Sequence, residues 1–390
     1  MTTVNVPVTL TINGVAVPTT MAIDPTLLPA GPQGIQGPTG PTGPAGGTVT
    51  PPSYPAPPTG YIAVPPSIDP TGTTDVYAAY QTFLANVGNG TAANPKVIYE
   101  APGSVYLRTG TGLDWDGLNY VTFWSYGSVS KSTAADGVIT HAGIFAGSAK
   151  PAAFIKKFGG HVLGANPASA TAQAFNGNGT ACSLWFGGGS HDIEIASVDL
   201  ASPYGHLVYI EGGSNYNLHD FTGEGAGLMG LAIRSVTGFT AQRFTITDTA
   251  VSPIDFEDTQ AGEPMGNILI TDFTLNRWGW YPSLTAHAIQ GDGNVGAAWA
   301  GVTLQRGVLQ GGSRGGPMGS TDAWITFWGS VAKTAMLIDS IDASAITNAG
   351  WFSRFNNATG TVSNSKAPGA STIAHVTGGS ITLSGNTPAS

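Results

Sequence analysis

One pattern of apolar residues recurs six times between residues 193 and 343, and it constrains the fold more than any other feature of the sequence. The pattern is apolar-x-apolar-x-x-apolar-x-apolar, and its third position falls at residues 198, 221, 244, 273, 307 and 341, giving steps of 23, 23, 29, 34 and 34 residues. The clearest copies are Ile193/Ile195/Val198/Leu200, Phe239/Ala241/Phe244/Ile246, Ile268/Ile270/Phe273/Leu275 and Met336/Ile338/Ile341/Ala343, and the weaker ones are Tyr216/Leu218/Phe221/Gly223 and Val302/Leu304/Gly307/Leu309. A second family of apolar pairs precedes the copies, at Leu184/Phe186, Val208/Ile210, Leu231/Ile233, Ile254/Phe256 and Ile325/Phe327.

Short strands that repeat at a nearly constant step are typical of a solenoid, in which each turn buries its apolar face only by stacking on its neighbours. We therefore predict an all-β protein whose residues 67–390 form a right-handed parallel β-helix. A β-sandwich is the alternative, but its strands would not keep a constant step with aligned apolar positions. The predicted core includes Ile195, Val198, Leu218, Phe221, Phe244, Ile270 and Phe273.

The residue before each third position tests this alignment, because it was not used to set the register. These residues are Ser197, Asp220, Arg243, Asp272, Arg306 and Ser340, so that Asp and Arg alternate from one copy to the next. Opposite charges on neighbouring strands attract and like charges repel. The order therefore predicts a charge ladder along one outer edge of the stacked turns.

The N-terminal part has a different organisation. Alternating apolar residues flank Asn13-Gly14, which predicts a β-hairpin within an attachment unit at residues 1–30. Residues 31–46 are Gly-X-Y triplets with a further glycine, and only glycine fits at the axis of a collagen-like triple helix. A Pro/Gly linker with an accidental period is the alternative. We predict a triple helix at 31–46, a stiff Pro-rich linker at 47–66 and, because the triple helix needs three chains, a homotrimer.

A single helix is predicted after the linker. Apolar residues at helical spacing run from Asp75 to Val87, and Thr74 stands at the N-cap position. We expect this helix to cover the first open end of the solenoid, where strand edges would otherwise be unpaired. Two strands are predicted between Lys96 and Arg108, around Pro102-Gly103.

Composition excludes several classes of function. Only 9% of residues are charged and the net charge is −9, without a basic cluster, so nucleic acid is not an expected partner. The start of the chain does not resemble a signal peptide, and no run of 18 apolar residues predicts membrane insertion. The seven histidines and the single cysteine, Cys182, form no metal-binding spacing. We expect no metal and no cofactor.

One set of charged residues suggests chemistry. Glu211, Arg234 and Glu257 occupy the same outward position in three successive turns, and Asp255 lies on the same face. Two turns separate the glutamates by about 9.6 Å, near the separation of the two carboxyl groups in inverting glycosidases. These are candidate catalytic residues, with Arg234 as a ligand contact. The alternative is a neutralised structural stack, because an arginine between two acids lowers both pKa values.

Three aromatic residues are candidates for ligand binding. The step from Phe273 to Gly307 is 11 residues longer than the shortest steps, and the added residues include Trp278, Trp280 and Tyr281. We expect these side chains in an exposed loop that contacts a glycan, since aromatic faces with polar tips suit sugar rings. The alternative is that they pack against another subunit of the trimer.

The segment IDPTGTTDVYAAYQTFLANV, followed by KVIYEAPGSVYLR and the repeats, resembles the start of the pectate-lyase-like β-helix of phage tail spikes. Together with the Gly-X-Y triplets, it is similar to minor tail proteins of phages that infect actinobacteria. The resemblance implies a homotrimer in the virion tail. Its N-terminus would dock on tail-tip proteins, and its β-helix would adhere to a bacterial surface glycan or glycolipid. A glycan depolymerase and a purely structural fibre are the alternatives, because fold alone does not decide function.

Overall fold

The computed structural model of the chain describes residues 4–12, 15–23, 53–109, 112–133, 145–147, 150–166, 182–258, 264–281, 286–313, 323–346, 351–367 and 372–388. The chain divides into two compact units, Met1–Ser53 and Tyr54–Ser390. None of the described helices is long and apolar enough to cross a membrane.

The first unit contains the predicted hairpin. Strands Val4–Ile12 and Val15–Ile23 pair in antiparallel register, with Ile12 opposite Val15. The hairpin prediction is confirmed. The predicted triple helix at 31–46 lies outside the described residues and stays a prediction.

The second unit is a parallel β-helix in which 25 strands form one continuous hydrogen-bonded sheet. Each full turn passes through three faces, which we name sheets 1, 2 and 3. Sheet 1 holds Ile62–Ala63, Lys96–Tyr99, Asn119–Trp124, Ala153–Phe158, His191–Ala196 and Lys333–Asp339. Sheet 2 holds Thr71–Asp75, Val105–Arg108, Val129–Ser132, His161–Leu163 and Asp199–Ala201, and on the same side Lys366–Ala367 pairs with Thr387–Pro388.

Sheet 3 holds Leu113–Asp114, Phe145–Gly147, Leu184–Phe186, Val208–Glu211, Leu231–Arg234, Ile254–Glu257, Ile289–Asp292 and Ala323–Trp328. Four long strands bend from sheet 1 into sheet 2, namely Ser214–Glu224, Thr237–Thr249, Met265–Trp278 and Trp299–Ser313. Two others run from sheet 3 into sheet 1, namely Trp351–Ser363 and Ala374–Ser384. This architecture confirms the predicted all-β, parallel β-helix fold.

The register agrees with the repeat. Ile195 lies beside Leu218 in the next turn, and Phe221 lies beside Phe244, which in turn lies beside Phe273. All seven predicted core residues are buried, and the rings of Phe221 and Phe244 stack with centroids 4.7 Å apart. The solenoid therefore has one continuous core in which equivalent residues of successive turns touch.

The solenoid begins earlier than the sequence predicts. Ile62 pairs with Ile98, and the indole Nε1 of Trp124 donates a hydrogen bond of 3.1 Å to the carbonyl of Pro55. Residues 54–66 therefore belong to the β-helix unit rather than to a separate spacer. The turns before residue 180 escaped detection because polar residues interrupt the apolar pattern, as Lys157 does between Phe123 and Ile195.

The predicted charge ladder lies at the bend between sheets 1 and 2. Asp220, Arg243, Asp272 and Arg306 all adopt left-handed backbone φ angles between 50° and 54°. Arg243 pairs with Asp220 at 2.6 Å, and Arg306 pairs with Asp272 at 2.6 Å. The ladder prediction is confirmed.

The helix spans Tyr77–Val87, two residues shorter at its start than predicted. Thr74 is not the N-cap. Its backbone N–H and hydroxyl both donate to the Asp69 carboxylate at 2.8 Å, and Val76 occupies the N-cap position without a side-chain hydrogen bond. The helix contributes Tyr80 and Leu84 to the core.

Candidate functional site

The outer face of sheet 3 carries a continuous strip of polar and aromatic side chains. Because successive strands are in register, the strip has two columns, which together we name the sheet 3 strip. The first column is Tyr209, Ala232, Asp255, Gln290, Thr326 and Arg354, and the second is Glu211, Arg234, Glu257, Asp292 and Trp328. The predicted stacking of Glu211, Arg234 and Glu257 in three successive turns is confirmed.

The two columns differ in exposure. In the first column Tyr209, Ala232, Asp255 and Thr326 are each at most 5% exposed. In the second column the side chains of Glu211, Arg234 and Glu257 are 46%, 25% and 33% exposed. The strip is therefore a half-open band of charge beside a covered polar column.

Arg234 organises the charged part of the strip. Its Nε lies 2.9 Å from Oε2 of Glu257, and its Nη1 lies 4.0 Å from Oε1 of Glu211. Its Nη1 also donates a hydrogen bond to the hydroxyl of Tyr209, and the guanidinium carbon lies 5.6 Å from the centre of that ring. Arg234 therefore joins three neighbouring side chains of the strip, Tyr209, Glu211 and Glu257.

Asp255 lies in the covered column beside Glu257, and it is only 1% exposed. Burial raises its pKa well above the ordinary range, and the neighbouring Glu257 carboxylate raises it further. A raised pKa favours the protonated form of a carboxyl group, which is the form that a general acid needs.

Asp292 is a further acidic residue of the strip that the sequence did not indicate. It follows Glu257 directly in the second column, and burial together with the Asp258 and Glu257 carboxylates raises its pKa. The sequence pattern did not reveal strand Ile289–Asp292, because Gly291 takes an inward position where the pattern expects an apolar side chain. The ring of Phe327 occupies that space, since a Cβ on Gly291 would lie 2.5 Å from it.

Aromatic rings flank the acidic part of the strip on both sides. On one side, Tyr209 stacks with His206 at a centroid distance of 5.2 Å and with Trp185 at 6.0 Å. On the other side, Trp328 contacts His287 edge-on at 5.1 Å. The strip thus combines ionised acceptors, a guanidinium group and ring faces along one direction.

The three aromatic residues expected in an exposed loop, Trp278, Trp280 and Tyr281, are placed differently in the structure. Trp278 is the last residue of strand Met265–Trp278, is completely buried, and packs edge-on against Trp324 at 5.9 Å. Trp280 and Tyr281 are partly buried against the same core. The expectation of an exposed trio was wrong, because Arg277 has a φ of 52° that bends the chain and places Trp278 inside the solenoid. Trp278 is therefore removed from the candidate glycan contacts.

Two other candidate chemistries find no support in the described ranges. No group of three or more His, Cys, Asp or Glu side chains is placed there to hold a metal ion. Cys182 is buried, and burial raises the pKa of its thiol far above the ordinary value, so it does not form a reactive thiolate.

Comparison with known proteins gives similarity of architecture. No protein-family model matches the sequence, and no curated protein matches it. Among solved structures, the ORF18 protein of Geobacillus virus E2 has 12% identity and a TM-score of 0.49 over 82% of this chain. The chain spans 58% of the length of that protein.

Two glycan-active enzymes give similar values. The endo-xylogalacturonan hydrolase of Aspergillus tubingensis has 13% identity and a TM-score of 0.47, over 82% of this chain and 90% of its own. The catalytic unit of the α-1,3-glucanase of Streptomyces thermodiastaticus has 17% identity and a TM-score of 0.34, over 86% and 71%. What this chain shares with them is the β-helix.

Proposed function

We propose that this chain is a homotrimeric phage tail fibre or tail-spike subunit that adheres to a bacterial surface glycan through the sheet 3 strip. The observation that carries the proposal is the half-exposed column of Glu211, Arg234, Glu257 and Asp292 beside aromatic rings. Carboxylates and a guanidinium group match the hydroxyl groups of a sugar as acceptors and donors. Ring faces supply apolar contact with sugar C–H groups.

The geometry of the strip favours an extended ligand over a small molecule. Equivalent side chains repeat at the spacing of neighbouring strands, about 4.8 Å, along the axis of the solenoid. Arg234 neutralises part of the acidic charge and fixes the rotamers of Tyr209 and Glu257 through its contacts. A preorganised, half-open band of this kind suits a polysaccharide chain lying along it.

The remaining parts of the proposal rest on the sequence. The Gly-X-Y triplets at 31–46 would join three chains, and the hairpin unit would attach the trimer to tail-tip proteins. The protein would then act in the virion tail, as the resemblance to phage minor tail proteins implies.

Binding of the labelled full chain to bacterial cells and to their extracted surface polysaccharide tests adhesion. The double variant Glu211→Gln/Glu257→Gln removes two charges of the strip, and we expect it to bind at least about tenfold more weakly, a loss of about 1.4 kcal/mol. The matched control is Asp220→Asn/Asp272→Asn, which changes two acids of the ladder between sheets 1 and 2. Equal binding by the strip variant and the wild type would reject the strip as the adhesion site.

Glycan cleavage is a second candidate function, favoured by two neighbouring carboxyl groups, the buried Asp255 with its raised pKa and the half-exposed Glu257 beside Arg234. In such a hydrolysis Asp255 would give its proton to the leaving glycosidic oxygen while Glu257 takes a proton from the attacking water. The glycosidic C–O bond would break and a new C–O bond to water would form. Release of reducing ends from the bound polysaccharide, lost in Asp255→Asn and in Glu257→Gln, would establish this activity. Binding without release of reducing ends supports adhesion alone.

A further inference from the structure

The C-terminal end of the sheet 3 strip differs in charge from its acidic middle. Arg354 follows Asp255, Gln290 and Thr326 in the first column, three register steps from Asp255. Those steps amount to about 14 Å along the axis. In the described part of the chain no carboxylate pairs with Arg354, whereas Arg234 in the acidic middle contacts two glutamates.

Aromatic rings surround this arginine. The guanidinium carbon of Arg354 lies 5.9 Å from the centre of the Trp351 ring, within the range of a cation–π contact. Trp351 stacks on His375 at a centroid distance of 3.8 Å with the planes 7° apart. These contacts orient the guanidinium group while its exposed edge stays free of a carboxylate.

Several polar atoms here are buried without partners. Thr326 is completely buried and its Oγ1 makes no hydrogen bond. Two atoms of partly buried residues, Nε of Arg354 and Oδ1 of Asn356, are themselves buried and also lack a hydrogen-bond partner. Register places Thr326 beside Arg354. Buried polar groups are normally satisfied, and a group of unsatisfied ones beside a half-exposed cation indicates a bound polar ligand.

From these contacts we infer that Arg354 and Trp351, beside the buried hydroxyl of Thr326, form an anion-accepting subsite for a carboxylate or phosphate substituent of the glycan. The inference rests on the proposed adhesion function and specifies its ligand as an acidic glycan. Arginine binds two oxygens of either anion in a planar, bidentate contact, while Trp351 supports the adjoining sugar ring. The acidic middle of the strip repels anionic groups, so the acid-bearing sugar must lie at the Arg354 end.

Calorimetric titration of the full chain tests this subsite with defined probes. The probes are a hyaluronan tetrasaccharide, the same tetrasaccharide after carboxyl reduction, and glucose 1-phosphate beside glucose. We expect the acidic tetrasaccharide to bind about tenfold more tightly than its reduced form, since charge-assisted contacts are about twice as strong as neutral ones. Tighter binding of glucose 1-phosphate than of glucose would identify phosphate as an accepted anion as well.

Three variants assign the preference to this arginine. Arg354→Gln should lose the preference for acidic probes, Arg354→Lys should keep part of it, and Arg306→Gln, on the opposite ladder, should keep all of it. Thermal melting shows that each variant is folded. An acidic preference that persists in Arg354→Gln, or equal binding of the acidic and reduced probes, would overturn the subsite. If the reduced probe still binds and its binding depends on Glu211 and Glu257, the proposed adhesion stands without the subsite. If no probe binds, the proposed adhesion and the subsite are both rejected.

Discussion

Arg243 and Asp220 form a two-point ion pair across adjacent turns, with Nε to Oδ1 at 2.6 Å and Nη2 to Oδ2 at 2.8 Å. Both residues have left-handed φ angles, 52° and 54°, at the bend between sheets 1 and 2. A left-handed conformation is unfavourable for residues other than glycine. The stacked charges therefore offset part of the backbone strain at a bend that every turn must make.

The first prediction concerns the acid sensitivity of this ladder. The hydrogen bonds from Arg243 lower the pKa of Asp220 to about 2, below its ordinary value of 3.8. A lowered carboxyl pKa stabilises the fold above pH 4, and that stabilisation disappears as the pH falls through about 2. Asp220→Asn should therefore lower the free energy of unfolding by up to about 1 kcal/mol at pH 7, because the pair is exposed, and by much less at pH 2.

Urea unfolding of the wild type and of Asp220→Asn between pH 2 and pH 7 measures this difference. Asp199→Asn, an exposed aspartate of sheet 2, is the control. A difference in the free energy of unfolding between wild type and variant that stays constant from pH 2 to pH 7 would contradict the prediction.

The second prediction concerns a buried ion pair near the N-terminal end of the solenoid. Lys157 is 1% exposed, donates to Ser125 at 2.9 Å, and interacts electrostatically with Glu100, which is fully buried. Burial lowers the pKa of Lys157 to about 8, from an ordinary 10.5. Between these values the folded chain binds fewer protons than the unfolded chain, so stability rises with pH from about 8 to about 10.5.

Melting temperatures of the wild type between pH 7 and pH 10.5 should show this rise, and Lys157→Met should not. At pH 7 the single variant should be less stable, because it leaves Glu100 buried without this cation. Adding Glu100→Gln should restore part of the loss, since the two residues are coupled. Additive effects of the two changes would show that the pair does not interact.

The sequence pattern predicted the register of the solenoid because inward positions of stacked strands must all be apolar. Ile195, Leu218 and Ala241 could be aligned by spacing alone. The same reasoning placed Glu211, Arg234 and Glu257 in one column, since outward residues share the register of inward ones. It could not find Asp292, because Gly291 relies on the ring of Phe327 from the next turn to fill the core.

Burial on the outer face could not be predicted from spacing. Asp255 and Glu257 are both outward residues, and only the connecting segments decide that the first is covered and the second half-exposed. Trp278 lies inside the solenoid because Arg277 has a left-handed φ angle. The sequence does not predict this angle, because arginine rarely adopts it.

The third prediction follows from the burial of Trp278. Trp278→Ala should destabilise the protein by about 3–5 kcal/mol, because it leaves a large cavity beside Trp324. Trp280→Ala changes a partly buried tryptophan two residues away, and it should lower the free energy of unfolding by less. Glycan binding measured well below the melting temperature should be unchanged in both. Lost binding in a folded Trp278→Ala protein would return this residue to the ligand site.

The last prediction concerns the stability cost of Asp255. Its raised pKa means that the folded chain holds a proton that the unfolded chain releases above about pH 4. Stability should therefore fall as the pH rises from about 4 towards the folded-state pKa. Asp255→Asn cannot ionise and has nearly the same shape, so it should be more stable than the wild type at pH 7.

Unfolding measurements at pH 4 and pH 7 test this directly. The variant and the wild type should have similar stability at pH 4 and should differ at pH 7 in favour of the variant, while Asp199→Asn shows no such gain. A buried aspartic acid that destabilises its own fold, placed beside Glu257, is expected where a proton is used in function. A less stable Asp255→Asn at pH 7 would show instead that the carboxyl group is a structural element of the strip.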